Sequence, residues 1–120
     1  MDKKNKSRFL FDVVIIGGLG HVGLPLGLVF AKEGLKTCLI DIDPLKAAQV
    51  KKGIMPFIEY GAEPILKEVL KNKKLEISLD LKSVAEAKFV IVAIGTPIDE
   101  YLNPKTRVFL EIFQKIKKYL

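Results

Sequence analysis

Gly18-Leu19-Gly20-His21-Val22-Gly23 places three glycines at the spacing G-x-G-x-x-G, and Asp41 follows 18 residues after the last of them. Glycines so spaced let a chain turn tightly, bring its backbone against a diphosphate with no side chain in the way, and pack a helix closely on a strand. An acid at that distance accepts hydrogen bonds from ribose hydroxyls. The chemistry predicted is the holding of a dinucleotide, with Gly18 for the turn, Gly20 for the approach and Gly23 for the packing. The amino terminus of the following helix would offer its free N–H groups and positive dipole end to the phosphates. A carboxylate at Asp41 repels a 2′-phosphate, and no Arg stands nearby in the sequence to accept one, so NAD is expected over NADP. Asp43, ahead of Pro44, is the better helix cap, which leaves Asp41 for the ribose.

Four other residues carry candidate chemistry. His21 sits between glycines at the helix mouth, where its ring lies either against the pyrophosphate or along the nicotinamide channel. It is expected to position rather than to transfer protons, because no partner that would tune it is evident. Lys46, one helical turn past Asp43, either reaches the ribose or is a solvated helix charge. Thr96, after the fourth apolar run, is expected to face the glycine loop and bond the phosphates or the carboxamide side, unless it only caps its own loop. Cys38, the one cysteine, lies within an apolar strand and is expected to be a core thiol, not a nucleophile.

The elements that must position these residues follow from hydrophobic period and punctuation. Val13–Ile16 is an apolar run of strand length, and a helix is expected from about His21 to Lys32, stopped by Gly34. Lys36–Ile40 reads as a second strand, and Asp43-Pro44 opens a helix that Gly53 stops near Lys52. Glu63–Asn72 is an amphipathic helix, Leu75–Leu79 a short strand, Leu81–Ala87 a brief helix, and Phe89–Ile94 an apolar strand. A loop over Gly95–Pro104 leads to a last helix with Val108, Phe109, Ile112, Phe113, Ile116 and Leu120 on its apolar face. Strands alternating with helices predict an α/β fold, a Rossmann-type doubly wound parallel sheet with helices on both faces and strand order 3-2-1-4. One flank of the fourth strand is then an open edge, so a homo-oligomer is expected.

The 120 residues, 49% apolar and 28% charged, match one globular domain. Residues 1–11 are expected to be a basic, disordered lead-in and 12–120 the folded domain. The net charge of +6 sits at the ends: +3 over residues 1–8 and +4 over 105–120, against −1 over the other 96. A nucleic-acid surface would need a basic stripe on a folded face, so no nucleic-acid partner is expected. Val13–Ala31 is 19 residues long with no charged side chain other than His21, but it contains five glycines and Pro25. Such a run is a poor membrane helix, and a cytoplasmic protein without a membrane partner is expected. A single Cys and a single His make no protein-only zinc site, and no metal is expected.

Val14-Ile15-Ile16-Gly17-Gly18-Leu19-Gly20-His21-Val22-Gly23-Leu24-Pro25-Leu26, with Asp41-Ile42-Asp43 and Gly95-Thr96-Pro97-Ile98-Asp99-Glu100, resembles the nucleotide-sugar 6-dehydrogenases. These act on UDP-glucose, GDP-mannose or UDP-N-acetylmannosamine in polysaccharide biosynthesis. The resemblance implies that Gly18, Gly20, His21, Val22, Gly23, Asp41, Lys46 and Thr96 bind NAD; His21 replaces the commoner tyrosine. It also implies oxidation of a sugar C6 alcohol to a carboxylate through a cysteine thioester. The cysteine, lysine and asparagine of that step, with the sugar-binding domain, belong to the family pattern beyond residue 120. No catalytic residue is therefore expected within this chain, and a UDP-sugar would bind only with those further parts. Met55–Glu63 looks more like the branch acting on N-acetylated sugars. The alternative is an NAD(H)-sensing regulatory module of the kind found on potassium channels, whose pattern does not predict Gly95–Glu100.

Overall fold

The computed structural model describes residues 9–94 and 106–120, and of 106–109 the backbone only. Thr96, the Gly95–Glu100 motif, residues 1–8 and the side chains of Val108 and Phe109 lie outside the described residues. Strand β1 (Phe11–Ile16) leads through the glycine loop to helix α1 (Gly23–Lys32). Then come β2 (Thr37–Ile40), α2 (Pro44–Lys51), α3 (Ala62–Lys71) and β3 (Leu75–Ser78). A 3-10 turn (Leu81–Glu86) precedes β4 (Ala87–Val92), and α4 (Thr106–Ile116) ends in a further 3-10 turn (Lys117–Tyr119). The sheet is parallel in the expected order β3-β2-β1-β4.

The period of two along the strands divides the core. Val13, Ile15, Leu39, Leu75 and Ile77 face α1, α2 and α3, where Leu24, Leu28, Ala47, Val50, Leu66 and Val69 meet them. Val14, Ile16, Cys38 and Ile40 face the other way, onto Val84, Ala87 and Ile116. Both faces of the central strands are thus covered, which is why β1 and β2 are apolar without interruption.

Most elements lie within one residue of their expected bounds; β1, β4 and α1 differ by two. β1 opens at Phe11, which is buried and pairs with Ala87, so the lead-in ends one residue earlier than expected. That pairing also draws Ala87 into β4, and Leu81–Glu86 closes as a 3-10 turn with Asp80 accepting from the Lys82 N–H at 2.9 Å. α1 begins at Gly23, not His21, because His21 and Val22 are used by the loop.

The strands are in register at their carboxyl ends: Ile16 lies beside Ile40 and Val92, and Ile40 beside Ser78. The ladder runs on into the loops. The Gly17 and Gly18 N–H groups both donate to the Ile40 carbonyl (2.8 and 3.0 Å), and the Ala93 N–H donates to the Ile16 carbonyl at 2.8 Å. The glycine loop, Asp41, Leu79 and Ala93 are therefore brought to one edge of the sheet, the edge where ligands bind in open α/β folds.

Candidate functional site

The tight turn belongs to Gly17, not to Gly18 as the spacing suggests. Gly17 has φ +79°, a left-handed conformation that favours glycine, and a Cβ there would lie 2.6 Å from the Ala93 carbonyl oxygen. Gly18 is instead a close-approach residue, since a Cβ on it would meet Leu39 Cβ at 2.6 Å. Gly23 packs α1 onto the loop as expected, where a Cβ would overlap the Gly17 carbonyl oxygen. Gly20 differs from all three. A Cβ there has only the Gly17 oxygen within 4 Å, at 3.5 Å, so this glycine borders open space.

The same loop carries backbone donors. The Leu24 N–H is taken by the Gly20 carbonyl (3.1 Å) and the Leu26 N–H by the Val22 carbonyl (3.2 Å), while Pro25 has none to offer. The N–H groups of His21, Val22 and Gly23 have no partner among the described residues. Three adjacent donors at the amino end of a ten-residue helix form a cradle for an anion.

Asp41 stands at the end of β2, partly buried, with both carboxylate oxygens engaged. Oδ2 accepts from the Leu19 N–H at 3.0 Å; Oδ1 accepts from Ile42 at 2.8 Å and Asp43 at 3.3 Å. One acid thus ties the glycine loop to the turn after β2, a link over 22 residues that spacing alone does not reveal. Asp43 is the cap of α2, as expected, accepting from the Leu45 and Lys46 N–H groups at 3.0 and 3.1 Å. Lys46 is half-buried on the first turn of α2. His21 is exposed and its ring stacks on Phe57, with centroids 4.2 Å apart and planes 19° apart. Val22 is exposed at the helix mouth.

A cavity of about 260 Å³ opens on the other side of Asp41, lined by Ile42, Leu79, Leu81, Ile94, Ile112 and Lys115 among others. Sequence reasoning missed these residues. The available signal was an apolar residue just past the ends of β2 and β3: Ile42 is 92% exposed and Leu79 50% exposed, a cost in water that burial would relieve.

Cys38 is fully buried in β2. Burial first, and the Glu76 carboxylate second, push its thiol up to about 12, so it remains protonated and is a core residue, not a nucleophile. Among the described residues no three His, Cys, Asp or Glu side chains gather to hold a metal, and no helix is long and apolar enough to cross a membrane.

An open glycine, backbone donors at a helix mouth, a carboxylate and an apolar cavity, gathered at one end of the sheet, suit a dinucleotide. A family profile described as the NAD binding domain of the UDP-glucose/GDP-mannose dehydrogenase family matches residues 12–120. The chain belongs to that family. It is 32% identical over 88 residues to the UDP-glucose 6-dehydrogenase TuaD of Bacillus subtilis, which covers 72% of this chain and 19% of that protein. It is 31% identical over 108 residues to the UDP-N-acetyl-D-glucosamine 6-dehydrogenase of Pseudomonas aeruginosa, covering 89% of this chain and 24% of that one. The fold is that of the GDP-mannose dehydrogenase of Pseudomonas aeruginosa, with a TM-score of 0.83 and 22% identity over 88% of this chain and 24% of that one. The chain thus spans about a fifth to a quarter of the length of these dehydrogenases and corresponds to the family's NAD-binding domain, whose cofactor is NAD.

Proposed function

We propose that this chain is the NAD-holding part of a UDP-sugar 6-dehydrogenase, an oxidoreductase that converts the C6 alcohol of a UDP-hexose, N-acetylated or not, to the uronic acid. When bound, NAD supplies the hydride acceptor. The observation that carries the reading is the open face of Gly20 in the same loop as three N–H groups that have no partner among the described residues, with Asp41 bonded to that loop. In this reading Gly20 admits the diphosphate, and the N–H groups of His21, Val22 and Gly23 bond it. Gly18 and Gly23 hold the loop in shape. Asp41 accepts from the adenosine ribose, Lys46 approaches the same ribose from α2, and Thr96, which follows β4 in the sequence, is assigned to the cofactor as well. The names of the relatives, one UDP-glucose and one UDP-N-acetyl-D-glucosamine 6-dehydrogenase, support a UDP-sugar and leave two branches.

The division of labour is sharp. The single cysteine is buried and protonated, so the chain holds the cofactor and supplies no thiolate for a thioester. Titrated with NADH, the chain should bind it in preference to NADPH, and with NAD and UDP-glucose or UDP-N-acetylmannosamine it should produce NADH only at background. Failure to bind NADH sinks the cofactor reading; sustained NADH production sinks the division of labour.

We infer further that the chain associates with a second copy through β4. Among the described residues this strand pairs only with β1. Phe89 is 63% exposed, and a largely apolar hollow of about 470 Å³ lies among Val13, Phe30, Leu35, Phe89 and Ile91. An unpaired apolar edge is a template for another strand. Sedimentation equilibrium should show a dimer that Val90→Pro, which removes an edge N–H, converts to monomer. A monomer in the unmodified chain would refute it.

A further inference from the structure

The glycine loop does not stand alone at the mouth of α1. The segment between α2 and α3 is folded back between two left-handed glycines, Gly53 (φ +83°) and Gly61 (φ +77°). It is pinned at both ends. The Gln49 side-chain amide donates to the Met55 carbonyl at 3.1 Å, the Ile54 N–H donates to the Gln49 carbonyl at 3.2 Å, and the Ala62 N–H donates to the Glu59 carbonyl at 3.1 Å. Within it Met55 and Phe57 are partly buried against the core cluster, while Ile58 and Tyr60 are exposed. Phe57 therefore has a fixed base, and its ring carries the His21 imidazole at 4.2 Å, nearly parallel.

His21 has no other aromatic neighbour among the described residues and is itself exposed. A free imidazole on a loop would sample several rotamers; one stacked face removes most of them before any ligand arrives. The residue so held belongs to the same loop as the N–H groups of His21, Val22 and Gly23, which have no partner among the described residues. We propose that Phe57 is a positioning residue for the cofactor site: by stacking on His21 it fixes the imidazole beside the diphosphate cradle and so raises affinity for NAD. The proposal rests on the NAD-binding reading. It adds a second wall to the site, from a segment 34 residues beyond the glycine loop.

The test is a double-mutant cycle on NADH affinity, with an NMR readout of the His21 ring. Phe57→Leu keeps an apolar group on the core and removes the stacking face. It should weaken NADH binding about three- to tenfold, as expected for loss of one aromatic pair. His21→Ala should cost a similar factor, and Phe57→Leu should cost nothing more when added to His21→Ala. Phe57→Tyr should restore affinity. In the unliganded chain the His21 ring protons should lie upfield of their free-histidine positions, and Phe57→Leu should abolish that displacement. Phe57→Leu that binds NADH as the unmodified chain does, a loss that persists in the His21→Ala background, or ring protons that Phe57→Leu leaves in place would each overturn the proposal. An unmodified chain that fails to bind NADH would instead overturn the reading on which it rests.

Discussion

Gly20→Val should abolish NADH binding, by a hundredfold or more, and leave the chain folded. The expectation rests on the asymmetry of the glycine loop. A Cβ on Gly20 meets only one atom within 4 Å, at ordinary contact distance, and Gly20 is not in the left-handed region. The valine therefore has room in the free chain and should cost about 1 kcal/mol or less. Its methyl groups occupy the space the diphosphate needs, and a hundredfold loss corresponds to about 2.7 kcal/mol. Gly23→Ala makes the control. Its Cβ would collide with the Gly17 carbonyl and crowd Gly18 Cα at 2.9 Å, backbone that cannot move aside, and overpacking of this kind costs about 1–3 kcal/mol. A thermal melt paired with NADH fluorescence separates the two: Gly20→Val should melt close to the unmodified chain and bind nothing, whereas Gly23→Ala should melt lower. A Gly20→Val chain that still binds NADH would make the loop a turn and no more.

Those two glycines also mark how far residue types and spacing carried. Strand order and the two-faced core were legible, because Val13–Ile16 and Thr37–Ile40 are uninterrupted apolar runs and parallel connections of one hand leave few arrangements. The close packing at Gly23 and the open space at Gly20 agree with the same motif. The turn was assigned one residue late, to Gly18, because the motif counts glycines and not bonds: what fixes the left-handed residue is the point where the ladder ends, and the shared Ile40 carbonyl places that at Gly17. The start of β4 was missed for a similar reason. Ala87 and Lys88 have little strand preference of their own, and it is the pairing of Phe11 with Ala87, 76 residues apart, that draws them into the sheet.

The rest was illegible because it depends on meetings that no local pattern encodes. Leu79, Leu81, Ile94 and Ile112 come from three separate stretches, and each alone is an ordinary apolar residue near the end of an element; only the sheet gathers them around one cavity. Phe57 gave no sign of touching His21, since the contact depends on two left-handed glycines that fold its segment back. Spacing singles out Asp41, yet it does not reveal the bond to Leu19, because a hydrogen bond to a backbone N–H leaves no mark on the partner's residue type.

That bond changes what removing Asp41 should do. If the carboxylate served the ribose alone, Asp41→Ala would weaken the cofactor and leave stability untouched. Because Oδ2 also accepts from Leu19, a wholly buried residue, truncation strands a loop N–H and should cost about 1–3 kcal/mol of stability besides. NADH affinity should fall by ten- to a hundredfold, the range of one charge-assisted hydrogen bond at about 1.5–3 kcal/mol. NADPH binding should fall less, since the substitution also removes the charge that repels its 2′-phosphate, so the preference for NADH narrows. Asp41→Asn separates the two roles. Its amide oxygen can still accept from Leu19, at the expense of the bonds from Ile42 and Asp43, so stability should return part of the way, while the loss of charge keeps the preference narrow. Denaturant melts and titrations with both cofactors read these quantities independently. An unchanged NADH to NADPH ratio in Asp41→Ala would refute the ribose role. Unchanged stability would show that the Leu19 bond does not hold the loop, and the glycines alone would then account for its shape.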